Sequence, residues 1–250
     1  MELLIEKLLG FFLVLTRTSA FFLVLPVFGW KTIPMQVKVG MVVLVSVFFS
    51  MVTGLPFDAR KVSALQAGLL IVNESLYGLA LGLIATIVFS AVKVGGEIIE
   101  QEMGMTMAEI LDPLTGESAR PLSSLLEMIF ILLFLSANGH HLLLLMLSRS
   151  YESFPLGSVP DIASLTGGLI GAGSAVLMAG LQIAAPLLAA SLLLMVVLAV
   201  LARVVPEMDI LFTSLPLRVG LGLFMTAALL PLISKFVSEF SRLMGELVPM

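Results

Sequence analysis

The chain has 250 residues, 59% of them hydrophobic and 12% charged, with a mean hydropathy of +1.15. Soluble domains carry roughly 25% charge, so this chain cannot cover a soluble surface and its exterior must face lipid or other apolar protein. A net charge of −4 argues against a nucleic-acid partner, and the absence of cysteine removes disulfide frameworks and thiolate metal sites.

The apolar residues run in continuous blocks and do not alternate, which predicts an all-α integral membrane protein and disfavours a β-barrel. The chain opens Met-Glu-Leu-Leu-Ile-Glu-Lys. A cleavable signal wants a basic start and a small-residue cleavage site, so this stretch reads as the mature first helix.

The first block covers 8–28, is interrupted by Thr16-Arg17-Thr18, and ends at Pro26 and Gly29. The second, Val39 to Thr53, closes on Gly54 and Pro56 and is short against the ~20 apolar residues of a full span. The third, Val62 to Val92, carries Asn73-Glu74-Ser75, and its helical pattern continues through Glu97 and Glu100 to about Met103. The fourth, Leu122 to Leu147, contains Asn138-Gly139-His140-His141 in its second half. A loop of Ser, Pro and Gly follows from Ser148. The fifth region, Ile162 to Val205, would be about 65 Å long as one helix. Pro186 near its middle predicts two helices or one kinked element. Gly167 and Gly171 have the spacing of close helix contact. A proline-bounded connector, Arg203 to Arg218, leads to a last block, Val219 to Ile233. Lys235, Glu239, Arg242 and Glu246 then recur at helical spacing, the pattern of an amphipathic surface helix.

Chain breaks are therefore expected near Pro26, Gly54, Pro113, Pro155, Pro186 and Pro206. Basic residues do not select a topology: Lys31 and Lys38 lie in one loop, Arg60 and Lys61 in the next. Successive loops should face opposite sides, so these blocks do not read as ordinary serial crossings.

The longest polar interval is Lys93 to Arg120. It holds Glu97, Glu100, Glu102, Glu109, Asp112 and Glu117 with no basic residue between, then the turn signals Asp112-Pro113 and Thr115-Gly116. Met103, Met105 and Met107 beside this turn suit a soft, adaptable seal, or equally three methionines at a membrane edge. Arg17 and Glu74 lie inside apolar blocks, where a charge facing lipid costs several kcal/mol. Both are expected against protein, and they are candidates for each other's partner. A role in fixing helix register or a subunit interface and a role in proton relay both stay open.

His140 and His141 are adjacent and point about 100° apart on a helix, which does not favour one shared metal ion. No HExxH, Walker A or GxGxxG sequence stands in a suitable context, and no catalytic set or cofactor motif emerges. From the residues alone, a proton- or ion-coupled transporter using Arg17, Glu74 and the acidic cluster Glu97, Glu100 and Glu102 stays open. An intramembrane hydrolase lacks its catalytic groups.

Four blocks in order, PVFGWKTIPMQVKVG at 26–40, GEIIEQEMGMTMAEILDPLTGE at 96–117, LFLSANGHHLLLLMLSRSYESFPLG at 133–157 and APLLAASLLLMVVLAVLARVVPEMDILFTSLPLRVGLGL at 185–223, resemble the FliR family of flagellar type III export-gate subunits. Virulence-secretion homologues are the nearest relatives of that family. The resemblance covers nearly the whole chain. It implies a non-enzymatic subunit that joins FliP and FliQ in a closed helical cone in the bacterial inner membrane. FlhA-like and FlhB-like export components and unfolded flagellar substrate proteins are the further partners it implies. It also implies a FliP-like half at 1–159 and a FliQ-like hairpin half at 160–250. The loop at 106–118 would project into the lumen as a plug, with Met105, Met107, Ile110, Leu111, Pro113, Leu114 and Gly116 as its closing residues.

Overall fold

A computed structural model describes residues 2–26, 33–53, 62–105, 120–159, 161–205 and 210–247, with backbone alone at 2–6, 210–213, 232–236 and 238–247. The described residues are predominantly helical and contain no strand. In chain order the helices are α1 (Glu2–Val24), α2 (Met35–Val52), α3 (Ala64–Glu102), α4 (Pro121–Ser136), α5 (Gly139–Ser153), α6 (Ile162–Val204) and α7 (Ile210–Leu247). Five stretches are long and apolar enough to cross a membrane: Lys7–Val24, Met35–Val52, Ala64–Glu102, Ile162–Val204 and Ser214–Pro231. Taken together, α4 and α5 would supply a sixth. This is a multi-pass membrane protein.

The chain forms two compact units. One comprises 1–88, 138–173 and 241–250, the other 89–137 and 174–240. In the first unit α3 packs on α1 through a four-residue rhythm. A methyl added at Gly78 would fall on the Arg17 carbonyl, and one at Gly82 would lie 2.8 Å from the Phe21 carbonyl. One turn further on, the Thr86 hydroxyl donates to the Val24 carbonyl at 2.9 Å. Contacts at 78, 82 and 86 thus match 17, 21 and 24, so the two helices run the same way along this seam. Without Cβ atoms at 78 and 82 the backbones can close to direct contact.

In the second unit Gly95 and Gly180 do the same for α3 and α6: a methyl at Gly95 would stand 3.1 Å from the Gly180 carbonyl, and one at Gly180 would stand 3.3 Å from the Ala91 carbonyl. The α3–α4 contact is aromatic, with Phe89 edge-on to Phe130 and Phe134 at centroid distances of 5.7 and 4.9 Å.

Five expectations change. The loop expected from Ser148 begins only after α5 ends at Ser153. Pro186 does not divide the fifth region, because α6 continues through it for 43 residues. Proline removes one donor, to the carbonyl of Gln182, while neighbouring turns keep theirs, and apolar surroundings make breaking those further bonds expensive. For the same reason α7 carries Pro216 and Pro231 internally. From Ile210 on, it joins the expected connector to the last block and the tail in one helix. The fourth block, conversely, is two helices. Asn138 adopts the left-handed region (φ 59°), which ends α4 and starts α5. Asparagine tolerates this conformation better than other side-chain-bearing residues. Finally, a methyl at Gly167 would meet nothing within 4 Å. The close glycine spacing is used at Gly78 and Gly82 instead.

Helix ends fall as expected beside Pro26, before Gly54 and at Pro155. Pro113 and Pro206 lie outside the described residues. The long third helix reaches Glu102, close to the expected end at Met103.

Candidate functional sites

Arg17 is fully buried in α1 of the first unit, and so is Glu74 on α3. They pair: Arg17 Nε donates to Glu74 Oε2 at 2.6 Å. The other guanidinium nitrogens turn to the C-terminal end of α5. Nη1 donates to the Ser150 carbonyl at 3.0 Å and to its hydroxyl at 3.4 Å, and Nη1 and Nη2 both donate to the Phe154 carbonyl at 3.0 Å. The Phe154 carbonyl lies at the C-cap of α5 and the Ser150 carbonyl, which also accepts the Phe154 N–H at 3.0 Å, lies in its last turn, so both sit at the negative end of the helix dipole, where a cation is well placed. The guanidinium carbon also lies 4.5 Å from the Tyr151 ring centre and 4.9 Å from that of Tyr77.

The second oxygen of Glu74 accepts the Gly157 N–H at 2.9 Å. Gly157 has φ 79° at the third position of the turn Pro155–Ser158, which Ser158 N–H closes on the Pro155 carbonyl at 3.1 Å. Glycine is required at this corner of such a turn. The Tyr77 hydroxyl donates to the Val159 carbonyl at 3.0 Å, holding the same segment. The pair thus fastens three helices and the turn after α5, and each charged group has several partners.

The acidic cluster in the second unit has three separate destinations. Glu97 pairs with Arg120 at 2.8 Å, part-exposed. Glu100, 2% exposed, accepts the N–H groups of Leu122 and Ser123 on Oε1 at 2.6 and 3.2 Å, and the Ser123 hydroxyl on Oε2 at 3.1 Å. These are the second and third residues of α4, and its own flanking residue, Arg120, supplies no side-chain cap. Glu100 therefore caps α4 from another helix, with its negative charge at the positive end. Glu102 accepts the Ser191 hydroxyl of α6 at 2.8 Å.

Just beyond Glu102, α3 ends in a glycine cap. Gly104 has φ 75°; its N–H donates to the Gln101 carbonyl at 3.0 Å, and Met105 N–H donates to the Glu100 carbonyl at 3.2 Å. This is the two-bond closure that a left-handed residue after the last turn makes. Met103 is 1% exposed, and a methyl added at Gly222 of α7 would fall on its side chain.

Of the expected plug residues, Met105 lies at this turn, half-buried. Met107, Ile110, Leu111, Pro113, Leu114 and Gly116 lie outside the described residues, as does 106–118 as a whole. Among the described residues no group of His, Asp and Glu is arranged to hold a metal ion. The His140 and His141 rings lie side by side with centroids 4.3 Å apart.

The sequence pattern of the bacterial export proteins, family 1, matches residues 8–244. The chain belongs to this family. It is 31% identical to the flagellar biosynthetic protein FliR of Escherichia coli over 95% of this chain and 92% of that one. The Bacillus subtilis FliR is 31% identical, over 90% and 87%. The Yop proteins translocation protein T of Yersinia pestis is 29% identical, over 87% and 84%. Within this FliR-type family member, sequence reasoning had missed Tyr77, Ser150, Tyr151, Phe154 and Gly157 around Arg17, and Gly222 against Met103. One signal was available for the first group. Gly78 and Gly82 stand four and eight residues after Glu74, on the face that brings it to α1.

Proposed function

We propose that the chain is a subunit of the flagellar type III protein export gate, forming with FliP and FliQ the closed pore through which unfolded flagellar proteins leave across the bacterial inner membrane. The observation that carries this reading is similarity to FliR proteins over nearly the whole length of both chains. The chain acts as a non-enzymatic scaffold and gate. Its 1–159 part is the FliP-like half and its 160–250 part the FliQ-like half. FlhA-like and FlhB-like components deliver substrate to it.

In this reading Arg17 and Glu74 secure assembly. Their hydrogen-bonding capacity is taken up by α5 and the turn after it, which supports a fastening role over a mobile charge. The segment 106–118 closes the pore. Its leucines, isoleucine and methionines give soft apolar contact, and Glu109, Asp112 and Glu117 keep it from settling irreversibly in a dry core.

Two measurements test the reading. Purified with its partners, the chain should be one copy among several of FliP and FliQ; recovery as a symmetric homo-oligomer would point to a transporter instead. Deleting 110–116 should leave the complex assembled but leaky to small ions, with growth sensitive to salt. An assembled deletion variant as ion-tight as the parent would move the closure to the partner subunits.

A further inference from the structure

Charge in the second unit collects along one edge of the α3–α4 seam. The two helices run in opposite directions there: Glu100 meets Leu122 and Ser123, a methyl at Gly96 would stand 2.7 Å from Ser123 Cα, and Phe89 meets Phe130. Glu97 and Arg120 pair across the seam and mark one edge of it. Lys93 lies one turn before Glu97 and so on the same face of α3. Glu127 lies two turns after Arg120 and so on the same face of α4. Because the helices are antiparallel, both steps go the same way along the seam. They end at one level, between the Gly96–Ser123 and Phe89–Phe130 contacts. Lys93 is exposed and Glu127 half-buried, and neither has an ion-pair partner among the described residues.

The outer face of α4 is different. Leu125, Met128 and Leu132, each more than half exposed, form an apolar stripe that passes the same level. Such a stripe calls for lipid or an apolar neighbour, so this level does not lie in open water. By length and composition α3 is a membrane span, and α4 is one together with α5. The charged edge cannot share the surroundings of the stripe, because each ion would lose its hydration in hydrocarbon; charges at such depth face a polar neighbour or a water-filled cavity. The signs distinguish these. Lys93 and Arg120 balance Glu97 and Glu127, so the edge offers no net charge for a complementary partner to match. A wall that successive chain segments must pass, by contrast, has to hold none of them firmly.

We propose that the edge formed by Lys93, Glu97, Arg120 and Glu127 lines a water-filled path across the membrane, and that an unfolded polypeptide in transit moves along it. The polypeptide rests on the export-gate reading; the water does not. Balanced charge on a wet wall lets segments of either sign slide past.

The chain has no cysteine, so single cysteines report on each face without background. In the intact complex, Lys93→Cys and Glu127→Cys should react with the charged, membrane-impermeant thiol reagent MTSES at least about tenfold faster than Leu125→Cys and Met128→Cys, the contrast between a face reached through water and one reached only through hydrocarbon. Lys93 and Glu127 are tested separately, so one assembling variant decides. Equal labelling at all four positions would place this level outside the membrane and overturn the proposal. So would unreactive cysteines at 93 and 127, which would mean that a partner subunit seals the edge. An export substrate fused to a tightly folded domain, and so stalled in transit, should protect 93 and 127 from the reagent; unchanged labelling overturns passage along this edge. If the chain purifies as one copy among several of FliP and FliQ while 93 and 127 stay unreactive, the edge falls and the export reading stands. If it purifies as a symmetric homo-oligomer with 93 and 127 reactive, the export reading falls and the water path stands.

Discussion

Gly78 rests directly on the backbone carbonyl of Arg17. That contact sets the distance between α1 and α3, and so places Glu74, one turn before Gly78, where the guanidinium can reach it. Packing geometry and electrostatics are one feature here. A wider seam would leave both charges buried and apart.

Separating the pair should therefore be severe. Arg17→Gln or Glu74→Ala leaves one buried charge without its partner, at a cost of about 3–5 kcal/mol. The yield of intact complex after detergent extraction should fall accordingly. Exchanging the two residues, Arg17→Glu with Glu74→Arg, should not rescue it, because Arg17 also serves the carbonyls of Ser150 and Phe154. Glu74→Gln is the informative variant. If it assembles normally yet no longer exports, proton handling replaces fastening as its role.

The seam itself gives a matched comparison on one helix. Gly78→Ala should destabilise the extracted protein by roughly 1–3 kcal/mol through overpacking and so lower its thermal midpoint. Gly68→Ala, where a methyl meets nothing within 4 Å, should leave it unchanged or raise it slightly, since alanine favours helix over glycine by up to about 1 kcal/mol.

Glu100 should matter more than its exposed neighbours. Removing its carboxylate with Glu100→Ala leaves the Leu122 and Ser123 amides without acceptors, at about 1–2 kcal/mol. The expected result is a lower thermal midpoint and faster proteolysis near Arg120. Glu97→Ala removes only a part-exposed pair and should change stability by no more than about 1 kcal/mol.

Much of this arrangement was legible beforehand. Helical periodicity through Glu97 and Glu100 located the true end of α3, and the cost of charge in hydrocarbon singled out Arg17 and Glu74 as partners. What escaped notice depends on which surfaces meet. The Gly167/Gly171 spacing looks like a contact motif, yet Gly167 faces open space; the equivalent spacing at Gly78 and Gly82 makes the contact. A local motif does not say what lies opposite. Asn138 stands beside Gly139 in a short polar interruption of the fourth block, but hydropathy alone does not say that the helix divides there, because the left-handed backbone at one residue leaves the flanking apolar runs unchanged. Pro186 was overweighted: one missing donor does not end a helix whose other turns have nowhere else to bond. The Glu100 cap joins residues 22 and 23 apart across the polar interval, beyond any local pattern.

The distances along the chain in the Arg17 network also impose an order in time. Arg17 is 57 residues from Glu74 and 133 from Ser150. While the ribosome is still making the fourth helix, the carboxylate has arrived but the carbonyls at the end of α5 have not. The nascent protein must hold a half-satisfied arginine in a membrane, or beside the insertion machinery, until the turn at Gly157 emerges. The first three helices thus stay provisional until two-thirds of the chain is made, and a chain released before that point carries an exposed mark of its own incompleteness.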